Sequence, residues 1–207
     1  MIFPVFSTAI AFFASAIVAS AEKTSGCDVS AAKIVLPPGL SIPRGVKPLY
    51  ITVGIGTQNY TCSSSGTYNA AGAVANLVDM SCAYTANPNL FNNAESWAYA
   101  LFSNWQYPLK PYIDIIGKHY FITENGSGAP KFDFAQSGKG YVVTKKIGGV
   151  PSPDGSENVD WLELQNTSGN LAKYVFRVNT IRGQPPASCR AGQTLTVKYT
   201  AKYWFFG

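Results

Sequence analysis

The 207-residue sequence predicts an all-β domain, an antiparallel β-sandwich or flattened barrel of about eight strands with one short accessory helix. Three observations lead there. Leu49, Ile51, Val53 and Ile55 alternate with Tyr50, Thr52, Gly54 and Gly56, the period of a half-buried strand. The chain closes on a second alternation, Leu195, Val197, Tyr199, Ala201 and Tyr203 against Thr194, Thr196, Lys198, Thr200 and Lys202. Between the two lie β-prone runs punctuated by Gly, Pro, Asn and Ser.

Residues 2–21 carry no charged side chain and end in Ala19-Ser20-Ala21, a small-residue pattern that a signal peptidase cuts. Residues 1–21 therefore read as a secretory signal peptide and 22–207 as a single secreted β domain. Ser7, Ser15 and Ser20 interrupt the apolar run and no stop-transfer flank follows, so no membrane association is expected after cleavage. The expected location is extracellular or in a cell wall.

The first strand runs from Leu49 towards Cys62, with its glycines on the less apolar face, where something can approach the backbone. A turn-rich stretch, 63–72, leads to a second short strand over 73–80. Asn92 is placed to cap a helix with Glu95 three residues on; Trp97, Leu101 and Trp105 recur as its buried face and Pro108 stops it. Further strands are expected over 119–123, 131–134, 141–145, 159–164, 174–180 and 194–205. Residues 145–158, with Pro151 and Pro153, read as a long surface loop.

The stretch Gly54-Ile55-Gly56-Thr57-Gln58-Asn59 begins like a dinucleotide-binding loop, but Asn59 stands where the third glycine belongs. That fingerprint also needs a helix straight after the strand, and here Asn59-Tyr60-Thr61-Cys62 continues it. The glycines belong to a strand.

Cys27, Cys62, Cys82 and Cys189 all follow the leader and, in an oxidising compartment, read as two disulfides. If 49–61 and 73–80 form a hairpin, Cys62 lies near its turn and Cys82 at its open end, roughly 25 to 30 Å away at 3.3 Å per residue. Bridged cysteines need Cα atoms within about 7 Å. The expected pairs are therefore Cys27–Cys82 and Cys62–Cys189. These spacings, with His119 as the only histidine, do not make a metal site. Asn59, Asn125 and Asn166 each open a glycosylation sequon. Asn59 carries a conflict, since its parity matches the buried Ile51–Ile55 face; a bulge near Gly54 or Gly56 would expose it.

Net charge is +5, but Lys and Arg are scattered, with no run beyond Lys145-Lys146, which argues against a nucleic-acid partner. A mildly basic secreted protein can still adhere to acidic polysaccharide.

The blocks Gly54-Ile55-Gly56-Thr57-Gln58-Asn59-Tyr60-Thr61-Cys62, Val159-Asp160-Trp161-Leu162, Val175-Phe176-Arg177-Val178-Asn179-Thr180, Pro185-Pro186-Ala187-Ser188-Cys189 and Tyr203-Trp204-Phe205-Phe206 carry a family likeness. Together they resemble a family of secreted fungal proteins of unknown function, many of whose members bear the automatic label "malate dehydrogenase". The resemblance spans nearly all of the chain after the leader. It implies a secreted, mostly β protein, with no established reaction and no catalytic residues to transfer. The dehydrogenase label conflicts with the residues. Malate oxidation needs a nicotinamide cradle, a histidine paired with a carboxylate, and an arginine clamp. No cofactor loop and no clamp pattern among Arg44, Arg177, Arg182 and Arg190 is visible, so no cofactor is expected.

A glycoside hydrolase needs two carboxylates across a cleft. Asp114, Glu124, Asp133, Asp160 and Glu163 are available, although Asp160 and Glu163, three apart in a strand, face opposite ways. His119 is the side chain whose ordinary pKa lies near neutrality. If the chain is an enzyme, His119 with Asp133 or Asp160 is the set to test, as a carbohydrate-active hydrolase or lyase. The aromatic residues, 14% of the chain, are the richer resource, because sugar rings stack on Trp and Tyr faces while amides and carboxylates take their hydroxyls. Trp97, Trp105, Trp161 and Trp204 supply the rings, with Trp161 beside Gln58, Asn59, His119 and Asp133 as the ligand-binding candidates. The function expected is a non-catalytic extracellular binder of cell-wall polysaccharide or a host surface component.

Overall fold

A computed structural model describes residues 27–104, 115–124 and 126–207. The expected signal peptide, Trp105, Pro108, Asp114 and the sequon residue Asn125 lie outside the described residues. The described chain forms eight antiparallel strands closed into a barrel in sequence order, the barrel of the two expected architectures. They are β1 (Pro48–Cys62), β2 (Tyr68–Asp79), β3 (Ile115–Glu124), β4 (Ser127–Asp133), β5 (Tyr141–Val150), β6 (Trp161–Gly169), β7 (Tyr174–Arg182) and β8 (Thr194–Phe206). The seam is the long ladder of β1 on β8, running from Pro48 opposite Phe206 to Thr61 opposite Thr194. Two helices, α1 (Ser81–Ala86) and α2 (Pro88–Asn104), fill the connection between β2 and β3.

An eight-stranded barrel is just wide enough for side chains to fill it. Ala75, Leu77, Phe132, Phe134, Val142, Val175, Tyr199, Tyr203 and Phe205 form that interior core. Here the glycines of β1 find their reason. A Cβ on Gly54 would stand 2.5 Å from the Tyr203 ring, and one on Gly56 would run into the backbone of Val74 and Ala75. What approaches the backbone comes from the two strands paired with β1: a ring of β8 at Gly54 and the backbone of β2 at Gly56.

The expectation of a half-buried first strand is corrected, because both faces of β1 are covered. Tyr50 packs against the interior core, whereas Ile51, Val53 and Ile55 point outward into a second core. That outer core is built by α2 and by a strap of irregular chain, residues 27–47, laid over β1, β6, β7 and β8. Among its residues are Val29, Leu40, Phe91, Phe102, Trp161, Phe176, Trp204 and Phe206.

α2 starts one turn earlier than expected. Asn87, not Asn92, caps it: Asn87 Oδ1 accepts the Leu90 N–H at 3.0 Å, and Pro88 takes the first helical position, where no N–H is needed. Lys198 on β8 caps the other end, its Nζ donating to the carbonyls of Phe102 (2.9 Å) and Ser103 (3.3 Å). The buried face is also corrected. Trp97 and Leu101 are 46% and 54% exposed, and Phe91, Ala94, Glu95 and Phe102 face the barrel instead. Four-residue spacing describes either stripe; the choice falls to the one that offers Glu95 to Lys202 of β8.

The expected loop over 145–158 is shorter, because β5 continues to Val150 through two register shifts. Gly148 and Gly149 sit within the strand where Leu40 of the strap and the Lys146 side chain cross it closely. β4 and β5 pair only over Lys131–Asp133, so Pro130 occupies a stretch where its missing N–H costs no ladder bond to β5. An apolar cavity of about 400 Å³ opens there, lined by Phe121, Ala129, Pro130, Leu162 and Leu164.

Cys27 is bonded to Cys82 (Cα–Cα 4.8 Å) and Cys62 to Cys189 (Cα–Cα 5.9 Å). The first ties the strap to α1. The second ties the end of β1 to the loop before β8.

Candidate functional site

The site with the most chemistry lies on the outer face of the barrel, where strap, helices and strands meet. A pocket of about 560 Å³ is walled by strap residues 33–37 and by Tyr84, Phe91, Asn92, Pro153, Trp161, Asn179, Lys202 and Trp204. Each element has a local reason for its place. Lys202 and Trp204 alternate with Tyr203 on β8, so they face outward while Tyr203 faces in. The strap is held by the Cys27–Cys82 bond, by the Lys33 N–H donating to Tyr84 Oη (3.1 Å), and by the Ser41 N–H donating to Glu163 Oε2 (3.4 Å).

Asn179 enters through a distortion. β7 slips register against β8 between Val178 and Ile181, and Asn179 adopts a left-handed backbone with φ 48°. The β5–β6 loop is sewn over this bulge. Thr180 Oγ1 donates to the Val159 carbonyl at 2.6 Å, and the Arg182 N–H to Asn158 Oδ1 at 2.6 Å. That places Pro153 on the pocket wall.

Three rings make the aromatic surface. Tyr84, Phe91 and Trp204 meet edge to face, with centroids 5.0 to 6.1 Å apart. Lys202 Nζ stands 4.1 Å from the centre of the Phe91 ring and 2.8 Å from Glu95 Oε1, with both charged side chains no more than 5% exposed. Burial pushes the Glu95 carboxyl above the usual range, and the Lys202 ammonium pulls part of that rise back. Trp161 is 6% exposed, and its Nε1–H has no hydrogen-bond partner among the described residues.

Of the expected ligand-binding residues, only Trp161 stands here, joined by Trp204. Gln58 and His119 are buried in the barrel. The His119 ring stacks on Phe132 at 4.3 Å, and its Nδ1–H donates to the Lys131 carbonyl at 3.0 Å, which leaves the lone pair on Nε2. Burial without a carboxylate neighbour lowers its pKa to about 4. Asp133 neighbours Phe132 in β4, so it points to the outside, where it pairs with Lys131 (3.0 Å) and accepts the Tyr120 hydroxyl (2.9 Å). The sheet separates His119 from Asp133, and the proposed catalytic pair is not formed. Asp160 is half-buried at the start of β6, its backbone carbonyl accepting from Arg177 Nε at 3.0 Å. No carboxylate is among the described partners of His119.

Asn59 lies on the outer face, half-buried, its Oδ1 accepting from Thr196 Oγ1 at 3.2 Å. The expected bulge at Gly54 or Gly56 is absent: the register against β2 slips between Asn59 and Tyr60 instead. The Asn166 amide donates both ways, to the carbonyls of Gly169 (3.1 Å) and Ala172 (2.7 Å), so its N–H groups hold the β6–β7 turn.

Sequence reasoning missed Lys33, Tyr84, Phe91, Asn92, Glu95, Asn179 and Lys202. One signal was present: the polar face of β8 ends in Trp204 and Phe206, which a solvent-facing row would not carry.

Neither a curated protein nor a solved structure matches the chain. A family model described as "Protein of unknown function (DUF3455)" matches residues 43–207, the barrel with both its helices. The chain belongs to that family of unknown function.

Proposed function

We propose that this is a secreted binding protein whose outer pocket takes a carbohydrate, from a cell-wall polysaccharide or a host surface glycan. The supporting observation is the pocket itself: rings of Tyr84, Phe91, Trp161 and Trp204 beside the amides of Asn92 and Asn179, in a volume of about 560 Å³. Apolar walls with a few convergent polar groups are the pattern of small-ligand sites, and ring faces with amides match the two sides of a sugar. Two disulfides, and no membrane-crossing helix among the described residues, suit an oxidising extracellular setting. We favour binding over turnover because, among the described residues, His119, Asp133 and Asp160 do not line the pocket.

Intrinsic tryptophan fluorescence of the secreted chain, titrated with wall-derived oligosaccharides, tests the reading, together with retention on insoluble wall. Saturable quenching is expected, weakened about tenfold in Trp161→Phe with unchanged circular dichroism. No quenching and no retention above a control protein would overturn it.

A further inference from the structure

The pocket's charged lining is one-signed. Among the described residues Lys33 and Lys202 line it, and no Asp or Glu does. Lys202 is the stronger feature: its buried ammonium stands 2.8 Å from Glu95 Oε1, yet that oxygen accepts no well-directed hydrogen bond, so the ion pair does not use up the three N–H donors. The ammonium also lies over the face of Phe91, which offers no lone pair. Trp161 adds an N–H that is buried without an acceptor. An unmet buried donor is costly, so a lining with surplus donors and positive charge favours a ligand rich in acceptors and negatively charged. Asn179, held in a left-handed conformation at the same wall, is a strained position of the kind found at binding sites.

We infer that the ligand is an acidic saccharide, a sugar unit bearing a carboxylate or sulfate, seated with its anion towards Lys202 and Lys33 and its ring against Trp161 and Trp204. This rests on the carbohydrate reading above and narrows it. The sugar ring uses the aromatic surface, and the anion takes the donors that the protein leaves unmet. The net charge of +5 adds a long-range pull on a polyanion.

Calorimetry on the full secreted chain decides it, with five probes: tetragalacturonate, its methyl-esterified form, a sulfated disaccharide, cellotetraose and chitotetraose. At least one acidic probe should bind about tenfold or more tighter than the neutral ones, and tetragalacturonate tighter than its own ester. Affinity should fall as salt rises from about 0.05 to about 0.5 M. Lys33→Ala and the paired change Glu95→Leu with Lys202→Met should each weaken the acidic probe. The paired change removes both buried charges, so the fold is expected to hold, and thermal melting checks it. Neutral probes bound as tightly as acidic ones would overturn this inference and leave the carbohydrate reading standing. No binding by any probe at millimolar concentration would overturn both.

Discussion

The two faces of β8 are equally buried and do different things. Tyr199, Ala201, Tyr203 and Phe205 face inward, Thr200, Lys202, Trp204 and Phe206 outward, and none is more than 4% exposed. The inner row meets a wall that the closed sheet fixes at one distance, and its two hydroxyls close on one another, Tyr199 and Tyr203 standing 2.8 Å apart. The outer row is covered by separate pieces, a strap, two helices and a loop, which meet imperfectly and leave a pocket. Behind β8 the closed sheet is filled by rings; in front of it, burial under independently anchored segments leaves a pocket. The difference matters for function because the outer cover can admit a ligand without opening the barrel.

The contrast is broken most severely from inside. Gly56→Val forces a side chain into the backbone of β2 and is expected to cost about 4 kcal/mol, read as loss of soluble folded protein or a collapse of the urea midpoint. A variant that melts like the wild type would show that the barrel is wider than described.

On the outer face, Lys202→Met strands Glu95 in the core and should cost about 3 kcal/mol. Adding Glu95→Leu should restore most of it, because the two charges are then both gone. Denaturant titration of the single and double variants reads the coupling, and additive losses would deny the ion pair.

A third test separates the faces by pH. His119 is held near 4 in the folded state and returns to about 6.5 when unfolded, so the unfolded chain binds the extra proton first. Its contribution is complete above about pH 6.5 and is lost as pH falls towards 4, up to about 3 kcal/mol. Glu95 has the opposite sign, since its raised pKa favours the folded state as pH falls. Stability measured against pH for His119→Gln should be flatter than wild type over that window, with the Glu95 slope common to both. Parallel curves would place His119 in solvent.

The smaller effects sharpen the picture. Replacing Cys27 and Cys82 by serine should cost about 2 kcal/mol while leaving the far-ultraviolet spectrum intact, and should abolish saccharide binding by releasing the pocket wall at residues 33–37. Trp97→Ser and Leu101→Ser should change stability by less than about 0.5 kcal/mol, since both side chains face solvent. A large loss from either would restore the helix face that spacing alone had suggested.

The sequence by itself determined the strands, their antiparallel order and the sulfur geometry, because alternation and glycine punctuation are local and a strand's rise sets which cysteines can meet. It also determined that the glycines of β1 serve a close approach, though not to what. Tertiary structure decided which face of each strand is inside. The outward row of β1 is the more apolar one, and only the arrival of α2 and the strap explains how it is buried. Tertiary structure likewise chose the buried stripe of α2, set His119 and Asp133 on opposite sides of the sheet, and collected Lys202, Trp161 and Trp204 around one pocket. The full lining of that pocket comes from strap, helices, loop and three strands. Periodicity records the face on which a residue lies, whereas what covers that face depends on contacts between segments far apart in the chain.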